Sequence, residues 1–219
     1  MREKIILFPF GGNGREALLS ILGINAISKR WDPVGFMDDD SRTHGKVCLG
    51  LKVLGRPEGT IRKFPDARVL AVPGSARNFL ARKAAIDKLG IDERRFATIV
   101  HPSVILSPDA KIGYNTLLMP NVVVSCGVTV GNHCIVLPNT VISHDSVLGD
   151  YCCVGSNVSI SGGVSIGPSC YIGSGTKIRE RISIRERTLI GLGANVVSDI
   201  ESGVVAAGNP ARIMRKVEE

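Results

Sequence analysis

Residues 141–166 read VISHDSVLGDYCCVGSNVSISGGVSI. In this stretch an aliphatic residue recurs at every sixth position, from Ile142 to Ile166. A period of six matches neither the 3.6-residue turn of an α-helix nor the two-residue alternation of a β-strand. It predicts a parallel β-helix, in which each hexad forms one short strand and one corner and three hexads close a triangular coil.

The hexad pattern extends over the C-terminal half of the chain. Aliphatic residues follow it without a slip from Val100 to Val196, and a small or β-branched residue comes four positions after each of them. Both are expected to point into the prism. The third residue after the aliphatic one is predicted to form the corner, which favours residue types that tolerate a positive φ. These corner residues include Asn115, Asn121, Gly127, His133, Asn139, Asp145, Asn157, Gly163 and Gly175.

Three of the six cysteines fall on the inward small position. Cys134, Cys152 and Cys170 are eighteen residues apart, so they are expected to form a column inside the prism. A straight column does not provide the tetrahedral arrangement of a structural metal site, so the pattern favours buried thiols and no metal. No CxxC spacing and no export signal are present. Reduced thiols in a cytoplasmic protein are the simplest interpretation.

The first 98 residues follow a different pattern. Apolar segments alternate with helical ones, which predicts a small parallel α/β sheet, and the chain is divided into residues 1–98 and 99–219. The predicted elements are a first strand at 4–10, a helix to about Ile27, a second strand at 33–40, strand ends at 51–55 and 68–74, and a helix at 76–90 that Gly90 closes.

A glycine-rich loop follows the first strand. Gly12, Gly14 and Ala17 satisfy G-x-G-x-x-[GA] where the helix begins, a placement that suits a phosphate at the helix N-terminus. The aspartates at 38–40 end the next strand, where a ribose- or base-binding carboxylate is expected. Fewer than 100 residues form only about half of a doubly wound domain, so a mononucleotide diphosphate fits better than a dinucleotide.

Positive charge is concentrated in the N-terminal part. Residues 1–98 contain 18 Lys and Arg against 11 Asp and Glu, whereas the remainder contains 9 of each. The excess is either solvated surface or an attraction for an anionic small molecule such as a nucleotide. Aromatic residues are sparse and no basic run is interleaved with them, which disfavours nucleic acid. No run of eighteen apolar residues predicts a membrane span.

Five motifs follow one another along the chain. They are GGNG at 11–14, FMDD at 36–39, His101-Pro102, SHDSVLGDY at 143–151 and GVVAAGNPAR at 203–212. In this order they resemble the bacterial nucleotide-sugar acetyltransferases of the hexapeptide-repeat, left-handed β-helix family. This family includes enzymes that acetylate 4-amino sugars and sialic-acid O-acetyltransferase relatives, and the resemblance covers essentially the whole chain.

The resemblance implies a homotrimer with active sites between subunits. The N-terminal Rossmann-like domain would bind the nucleotide-linked amino sugar, and the β-helix would bind acetyl-CoA as co-substrate, without a metal. His144 matches the catalytic base and Asp145 its acidic neighbour. The matching substrate-binding positions are Gly11, Gly12 and Asn13 in the phosphate loop, Asp38 and Asp39 as the base- or ribose-binding pair, and Gly55 and Gly74 at strand ends; Gly162, Ser174 and Leu192 match positions along the acetyl-CoA groove.

Two positions depart from the family pattern. Asn13 stands where many relatives have histidine, and Cys153 stands where some carry a second histidine near the thioester. An acyl-cysteine at Cys153 is kept as a minor alternative. His133, in GNHC, has no match in the family and is expected to be an exposed corner residue without a role.

The implied chemistry is direct acyl transfer. An amine that is mostly protonated near neutral pH must lose a proton before it attacks a thioester, and a neutral imidazole can accept that proton. A neighbouring carboxylate would orient the ring, and backbone N–H groups would stabilise the oxyanion.

Several alternatives remain at this point. They are a sugar O-acetyltransferase of the sialic-acid type, a non-enzymatic trimeric scaffold, a metal-dependent hydratase and an NAD-dependent enzyme. The hydratase would need about three converging histidines, and the repeat offers only His133 and His144. The short N-terminal domain disfavours NAD.

Overall fold

The computed structural model of the chain describes residues 2–217 and has two parts, an α/β domain followed by a parallel β-helix. This confirms the predicted fold class. No helix within residues 2–217 is long and apolar enough to cross a membrane. The N-terminal elements are β1 (Glu3–Phe8), α1 (Gly12–Ser28), β2 (Trp31–Phe36), β3 (Val47–Cys48), β4 (Leu51–Lys52), α2 (Pro57–Lys63), β5 (Arg68–Ala71) and α3 (Arg82–Asp87), with 3-10 turns at Ser41–Thr43, Phe79–Ala81 and Glu93–Arg95.

The N-terminal sheet has three parallel strands in the order β2, β1, β5. Its central strand is completely buried over Ile5, Ile6 and Leu7, because both sheet faces are covered. Helix α1 and the β-helix cover one face, while α2 and α3 pack on the other. The carboxyl ends of all three strands therefore meet at one edge, beside the glycine loop.

Two N-terminal segments differ from the sequence prediction. Residues 51–55 contribute β4, which pairs with β3 in a short antiparallel hairpin, and then only a single parallel bridge, from Val53 to Phe36 at the end of β2. The helix predicted over 76–90 is reduced to α3 and a preceding 3-10 turn. The Asn78 side chain accepts hydrogen bonds from the backbone N–H (2.7 Å) and hydroxyl (2.9 Å) of Ser75, and such a side-chain turn competes with helix formation.

The β-helix has three faces, each built from strands that stack on successive coils. Face 1 contains β7 (Ile105–Leu106), β10 (Val123–Val124), β13 (Val141–Ile142), β16 (Ser159–Ile160), β19 (Lys177–Ile178) and β22 (Asn195–Val196); face 2 contains β8 (Lys111–Ile112), β11 (Thr129–Val130), β14 (Val147–Leu148), β17 (Ser165–Ile166) and β20 (Ser183–Ile184); face 3 contains β6 (Ile99–Val100), β9 (Leu117–Leu118), β12 (Ile135–Val136), β15 (Cys153–Val154), β18 (Tyr171–Ile172), β21 (Leu189–Ile190), β23 (Val204–Ala207) and β24 (Arg212–Lys216).

Successive coils stack in an eighteen-residue register, as the hexads predict. Ile142, for example, pairs with Val124 on one side and Ile160 on the other, and all three are at most 1% exposed. Burying each such aliphatic side chain stabilises the fold by about 1.5–3 kcal/mol. The three column cysteines are fully buried, as predicted; their thiols lie within 3.2 Å of the carbonyl oxygens of Gly149, Gly167 and Arg185.

The corners carry the positive φ values that the sequence suggested. We call the corner from face 3 to face 1 corner A, the next corner B, and the corner from face 2 to face 3 corner C. At corner A, the Asn121 amide donates to Asn139 Oδ1 at 3.1 Å, so these asparagines stack. Residue types that rarely adopt a positive φ, such as Tyr151 and Arg181, also adopt one here because the stacked coils impose the turn. The left hand of the β-helix remains an expectation from the resemblance.

The N-terminal domain packs on face 3 and corner C. Here the expectation for His133 is wrong: its side chain is buried, 4% exposed, rather than solvated. Its ring stacks on Tyr151 with a centroid distance of 4.6 Å and meets Phe96 edge-on at 5.1 Å. Burial and the nearby Arg82 charge lower the pKa of His133 from 6.5 to about 4. The neutral ring is thus part of the domain interface.

We predict that His133 makes the stability of the protein fall in mild acid. Because its pKa is lower in the folded chain than in the unfolded one, its contribution is complete above pH 6.5 and is lost as the pH falls towards 4. The free energy of unfolding should drop by about 2 kcal/mol between pH 7 and pH 5 through this group alone. His133→Asn keeps a residue suited to the positive φ and should remove that drop in urea titrations; parallel pH profiles for both proteins would contradict the assignment.

Candidate active site

The His144–Asp145 pair occupies corner B, between β13 and β14. Asp145 takes the turn position with φ 60°, and its Oδ2 lies 2.9 Å from Nδ1 of His144. Because an ionised carboxylate can only accept a hydrogen bond, this contact assigns a proton to Nδ1, and in the neutral ring the lone pair is then on Nε2. Both side chains are exposed, at 63% and 74%. This corner can therefore accept a proton from a molecule that approaches the prism from outside.

Glycines on the neighbouring coils make room for the pair. A Cβ at Gly162, one coil beyond His144, would lie 2.5 Å from Cε1 and Nε2 of the imidazole. A Cβ at Gly127, one coil before Asp145, would lie 2.6 Å from Asp145 Oδ1. The ring can thus lie across the next coil only because position 162 has no side chain. The Gly162 N–H makes no hydrogen bond within residues 2–217.

An open pocket of about 430 Å³ adjoins the imidazole. Its lining continues down corner B from the His-Asp pair through Gly162 and Gly163 to Glu180 and Arg181. Arg181 has φ 58°, a conformation that costs a non-glycine residue roughly 1 kcal/mol. The turn brings one arginine of the charged segment 179–187 into the lining of the pocket beside the candidate base.

The three residues predicted along the acetyl-CoA groove do not come together in one chain. Gly162 lies under the imidazole at corner B, whereas Ser174 and Leu192 lie at corner A, before β19 and β22, with face 1 in between. Leu192 is 83% exposed, and Ser174 Oγ accepts a hydrogen bond from the Ser156 N–H at 3.2 Å. A groove that used all three would need corners of two different subunits.

Cys153 does not lie near the imidazole, which corrects the minor acyl-cysteine alternative. It belongs to face 3, the face opposite corner B, and its side chain is 2% exposed among residues that pack on the N-terminal domain. Burial raises the pKa of its thiol. A buried, protonated thiol on another face cannot take an acyl group from the corner B pocket.

The predicted phosphate-loop residues lie at the carboxyl edge of the N-terminal sheet. Gly11 is the N-cap of α1, and the helix begins at Gly12. The amide of Asn13 donates to the carbonyls of Gly74 at 3.1 Å and Val72 at 3.4 Å. This side chain therefore joins the glycine loop to the loop that follows β5, so Gly11, Gly12, Asn13 and Gly74 form one surface.

The two predicted aspartates occupy different environments. Asp38 is 9% exposed, and its two carboxylate oxygens each accept a 2.8 Å hydrogen bond, from the N–H groups of Phe10 and Asp40. Its own N–H donates to the carbonyl of Gly55 at 3.0 Å. Asp38 thus holds the glycine loop and the Gly55 turn against the end of β2. Asp39 is about half exposed and pairs with Lys88 at 3.3 Å.

A second pocket, of about 470 Å³, lies beside Asp39. Three cationic side chains and two carboxylates line it, together with apolar groups from α2 and the end of α3. Lys88 pairs with Asp39 and Arg62 with Glu58, so the net charge of the lining is +1. The lining residues are Asp39, Arg56, Pro57, Glu58, Ile61, Arg62, Lys88 and Leu89.

The two halves of the candidate site are separated within one chain. The loop at Gly74 touches corner C through Arg82, whereas His144 lies at corner B, a whole prism side away. Six residues at 3.3 Å each make that side roughly 20 Å.

Sequence reasoning did not identify Gly127, Glu180 and Arg181 as neighbours of the base. The sequence contained the necessary signal. Residues eighteen positions from His144 and Asp145 lie in the same corner on the next coil, and residues thirty-six positions away lie two coils further along it. Within residues 2–217, no three His, Cys, Asp or Glu side chains are grouped so that they could hold a metal ion.

Comparisons with known proteins bear on both halves of the chain. A family model described as the GMPPB C-terminal domain matches residues 96–191, which lie mostly in the β-helix. A search of curated protein sequences gave no match. The similarities that span both domains come from solved structures.

Three of these structures cover nearly the whole chain. PerB from Caulobacter crescentus, in complex with CoA and GDP-perosamine, has a TM-score of 0.83 at 24% identity and covers 97% of each chain. The acetyltransferase domain of PglB from Neisseria gonorrhoeae, in complex with acetyl coenzyme A, has a TM-score of 0.83 at 24% identity and covers 98% of this chain and 100% of its own. WeeI from Acinetobacter baumannii has a TM-score of 0.77 at 22% identity, with the same coverage. The chain therefore has the fold of these three proteins along nearly its whole length, which confirms at the level of the fold the resemblance suggested by its motifs.

Proposed function

We propose that this protein is an acetyl-CoA-dependent N-acetyltransferase that acts on the 4-amino group of a nucleotide-linked 4-amino-4,6-dideoxy sugar. The observation that carries the proposal is the His144–Asp145 pair at corner B, with Nδ1 held at 2.9 Å and Nε2 directed across Gly162. The fold supports it, since PerB is a neighbour crystallised with CoA and GDP-perosamine. Two further structures of that Caulobacter enzyme have one histidine replaced and contain the same two ligands.

His144 acts as the general base. Its Nε2 accepts a proton from the sugar amine as the amine nitrogen attacks the thioester carbonyl carbon. The carbon–sulfur bond then breaks, and the departing CoA thiolate takes up this proton from the imidazolium, which restores the neutral base. Asp145 holds the ring in the required tautomer and stabilises the imidazolium that forms. The unpaired Gly162 N–H is the proposed donor to the thioester oxygen, and Arg181 is a cation available to the phosphates of CoA.

The N-terminal domain binds the nucleotide sugar at the carboxyl edge of its sheet. The N-terminus of α1 at Gly12 offers backbone N–H groups and a positive dipole end to a diphosphate. The adjoining pocket beside Asp39 has apolar side chains and hydrogen-bonding carboxylates for the uncharged base and ribose of the nucleotide. Asp38 acts by holding the glycine loop, because both of its oxygens are already used within the chain.

The working unit is a homotrimer with composite sites. Corner B lies a prism side of roughly 20 Å from corner C, where the loop of the sugar-binding edge meets the β-helix, and the predicted groove residues are divided between corners A and B. Exposed apolar side chains, including Val141 at 38% and Val147 at 46%, flank corner B on faces 1 and 2. If corner B of one subunit meets corner A and the sugar-binding edge of the next, every part of the site is brought together.

The deciding assay measures acetylated product by mass spectrometry, with 4-amino-4,6-dideoxy sugars on UDP, dTDP and GDP and with free sialic acid as acceptors. We expect product with one amino sugar. Product only with a hydroxyl acceptor would move the protein to the O-acetyltransferase alternative. Acetyl-CoA binding without product would show that the acceptor class is wrong, and no acetyl-CoA binding would favour the scaffold alternative.

His144→Ala should lower the turnover number by about 10²–10⁴-fold, the contribution of a general base. The Kd for acetyl-CoA, measured by calorimetry, should change little because the pocket remains. His101→Ala is the matched control: this imidazole bonds Ser103 in the first coil, and its loss should leave turnover unchanged. Full activity of His144→Ala would refute the assignment.

Gly162→Ala should lower turnover without unfolding the protein. The new methyl group must displace the imidazole, which would lie 2.5 Å away, but the ring is exposed and can rotate outward at little cost in stability. We expect an unchanged melting temperature, a rate at least about tenfold lower and a shifted histidine signal in the NMR spectrum. A variant with normal turnover would show that the ring is not needed where it lies.

Two inactive variants should complement each other if sites are composite. Gly12→Glu places a carboxylate in open space at the helix N-terminus, where it is tolerated structurally but repels a diphosphate. Random trimers of this variant and His144→Ala should regain about a quarter of wild-type activity, because some interfaces combine an intact loop with an intact histidine. The control is a mixed trimer of wild-type chains and chains that carry both substitutions. If the mixture of the two single variants regains no activity, each site lies within one subunit.

A further inference from the structure

We infer that Arg82, at the start of α3, is a positioning residue that holds the substrate-binding loop at Gly74 against the β-helix. The inference rests on the proposed function of that loop. It goes beyond the predicted residues, because none of them explains how the loop after β5 is fixed relative to the other domain.

Arg82 is the largest buried cation of the interface, at 1% exposure. Its guanidinium donates to three backbone carbonyls from both domains. Nε donates to Tyr151 at 3.1 Å and Nη2 to His133 at 2.6 Å, both in corner C, while Nη1 donates to Pro73 in the loop. The planar fork of five donors is what allows one side chain to reach three acceptors in fixed directions.

The loop is held from its other side by Asn13. Its amide donates to the carbonyls of Val72 and Gly74, so three consecutive carbonyls, at positions 72, 73 and 74, are all bonded. Gly74 has φ 121°, and a Cβ there would lie 2.7 Å from Cγ of Arg82. The glycine and the arginine therefore fit together: the bare backbone lets the side chain pass directly beneath the loop.

Arg82 has no carboxylate partner within 4.0 Å among residues 2–217. Burying an uncompensated charge is costly, and apolar packing would stabilise an interface more cheaply. The unneutralised charge raises the positive potential at the loop, where the proposed ligand has a diphosphate. Arg82 thus serves the site in two ways, by fixing the loop and by supplying charge that acts through it.

The consequence is a selective effect on the acceptor substrate. Without Arg82 the loop loses its link to corner C, while the corner B pocket is unchanged. The KM for the nucleotide sugar should rise about tenfold or more in Arg82→Met, as expected when charge-assisted hydrogen bonds in a site are lost. The KM for acetyl-CoA should change less than about twofold. Arg82→Lys keeps the positive charge but loses the planar guanidinium, so its KM for the nucleotide sugar should lie between those of the wild type and Arg82→Met.

Arg95→Met is the matched control. Arg95 also donates to backbone carbonyls, those of Phe64 and Ala67, but far from the loop. Its loss should lower the melting temperature without changing the KM for the nucleotide sugar. A purely structural role for Arg82 would make the two variants behave alike.

Two measurements do not depend on acetyl transfer. One is calorimetric binding of UDP, dTDP and GDP to each variant. The other is hydrogen exchange at the amides of Val72 and Ser75, which are hydrogen-bonded at 2.7 Å in the wild type and should exchange faster in both Arg82 variants but not in Arg95→Met. Arg82→Lys keeps the test valid if Arg82→Met fails to fold.

Unchanged nucleotide affinity together with unchanged exchange in the Arg82 variants would overturn the inference. A wild-type protein that binds none of the three nucleotides would instead overturn the nucleotide-sugar assignment. In that case the exchange rates at Val72 and Ser75 would still decide whether Arg82 holds the loop.

Discussion

The eighteen-residue register of the β-helix is the constraint on which the rest of the structure depends. Parallel strands of only two residues have little stability alone, so each coil is held by ladder hydrogen bonds and by inward side chains stacked on those of its neighbours. Up to Val196 a residue therefore lies next to the one eighteen positions later, and only in the last coil does this separation shorten to sixteen, at Ile184–Ile200 and Leu189–Val205. The same rule that stacks cysteines in the core places Gly162 beside the His144 ring and Gly127 beside the Asp145 carboxylate. The candidate base thus depends on small residues in two other coils.

The domain interface supplies the second constraint. Face 3 and corner C are covered by the N-terminal domain, which leaves corner B on the opposite side of the prism. A neutral, buried His133 and a buried, charged Arg82 lie in this interface, one stacked between aromatic rings and the other shared among carbonyls. Because the interface keeps the proposed sugar-binding edge away from His144 of the same chain, it favours the proposed site that a second subunit completes. Oligomerisation would then be a condition for catalysis rather than an addition to it.

Different parts of the candidate site were predictable to different degrees. Periodicity alone placed His144 and Asp145 together at an outward corner, and eighteen-residue arithmetic would also have found Arg181. The glycine loop was recognisable because strand, glycines and helix are contiguous. Asp38 was harder, because its carboxylate is occupied by the N–H groups of Phe10 and Asp40, and the Phe10 bond spans 28 positions of chain. His133 was misjudged because its surroundings come in part from the other domain, including Phe96.

The sequence by itself determined the β-helix, its register, its inward residues and the corner that carries the histidine, because a six-residue period specifies which side chains face inward and which coils touch. It also indicated a small α/β domain with a phosphate-binding turn. Only the tertiary structure decided which prism face is covered, that the helix over 76–90 is cut short by the Ser75–Asn78 turn, and that Arg82 links Pro73 to corner C. The physical reason is range: repeats encode contacts at a fixed sequence separation, whereas the packing of one domain on another joins residues whose separation follows no period.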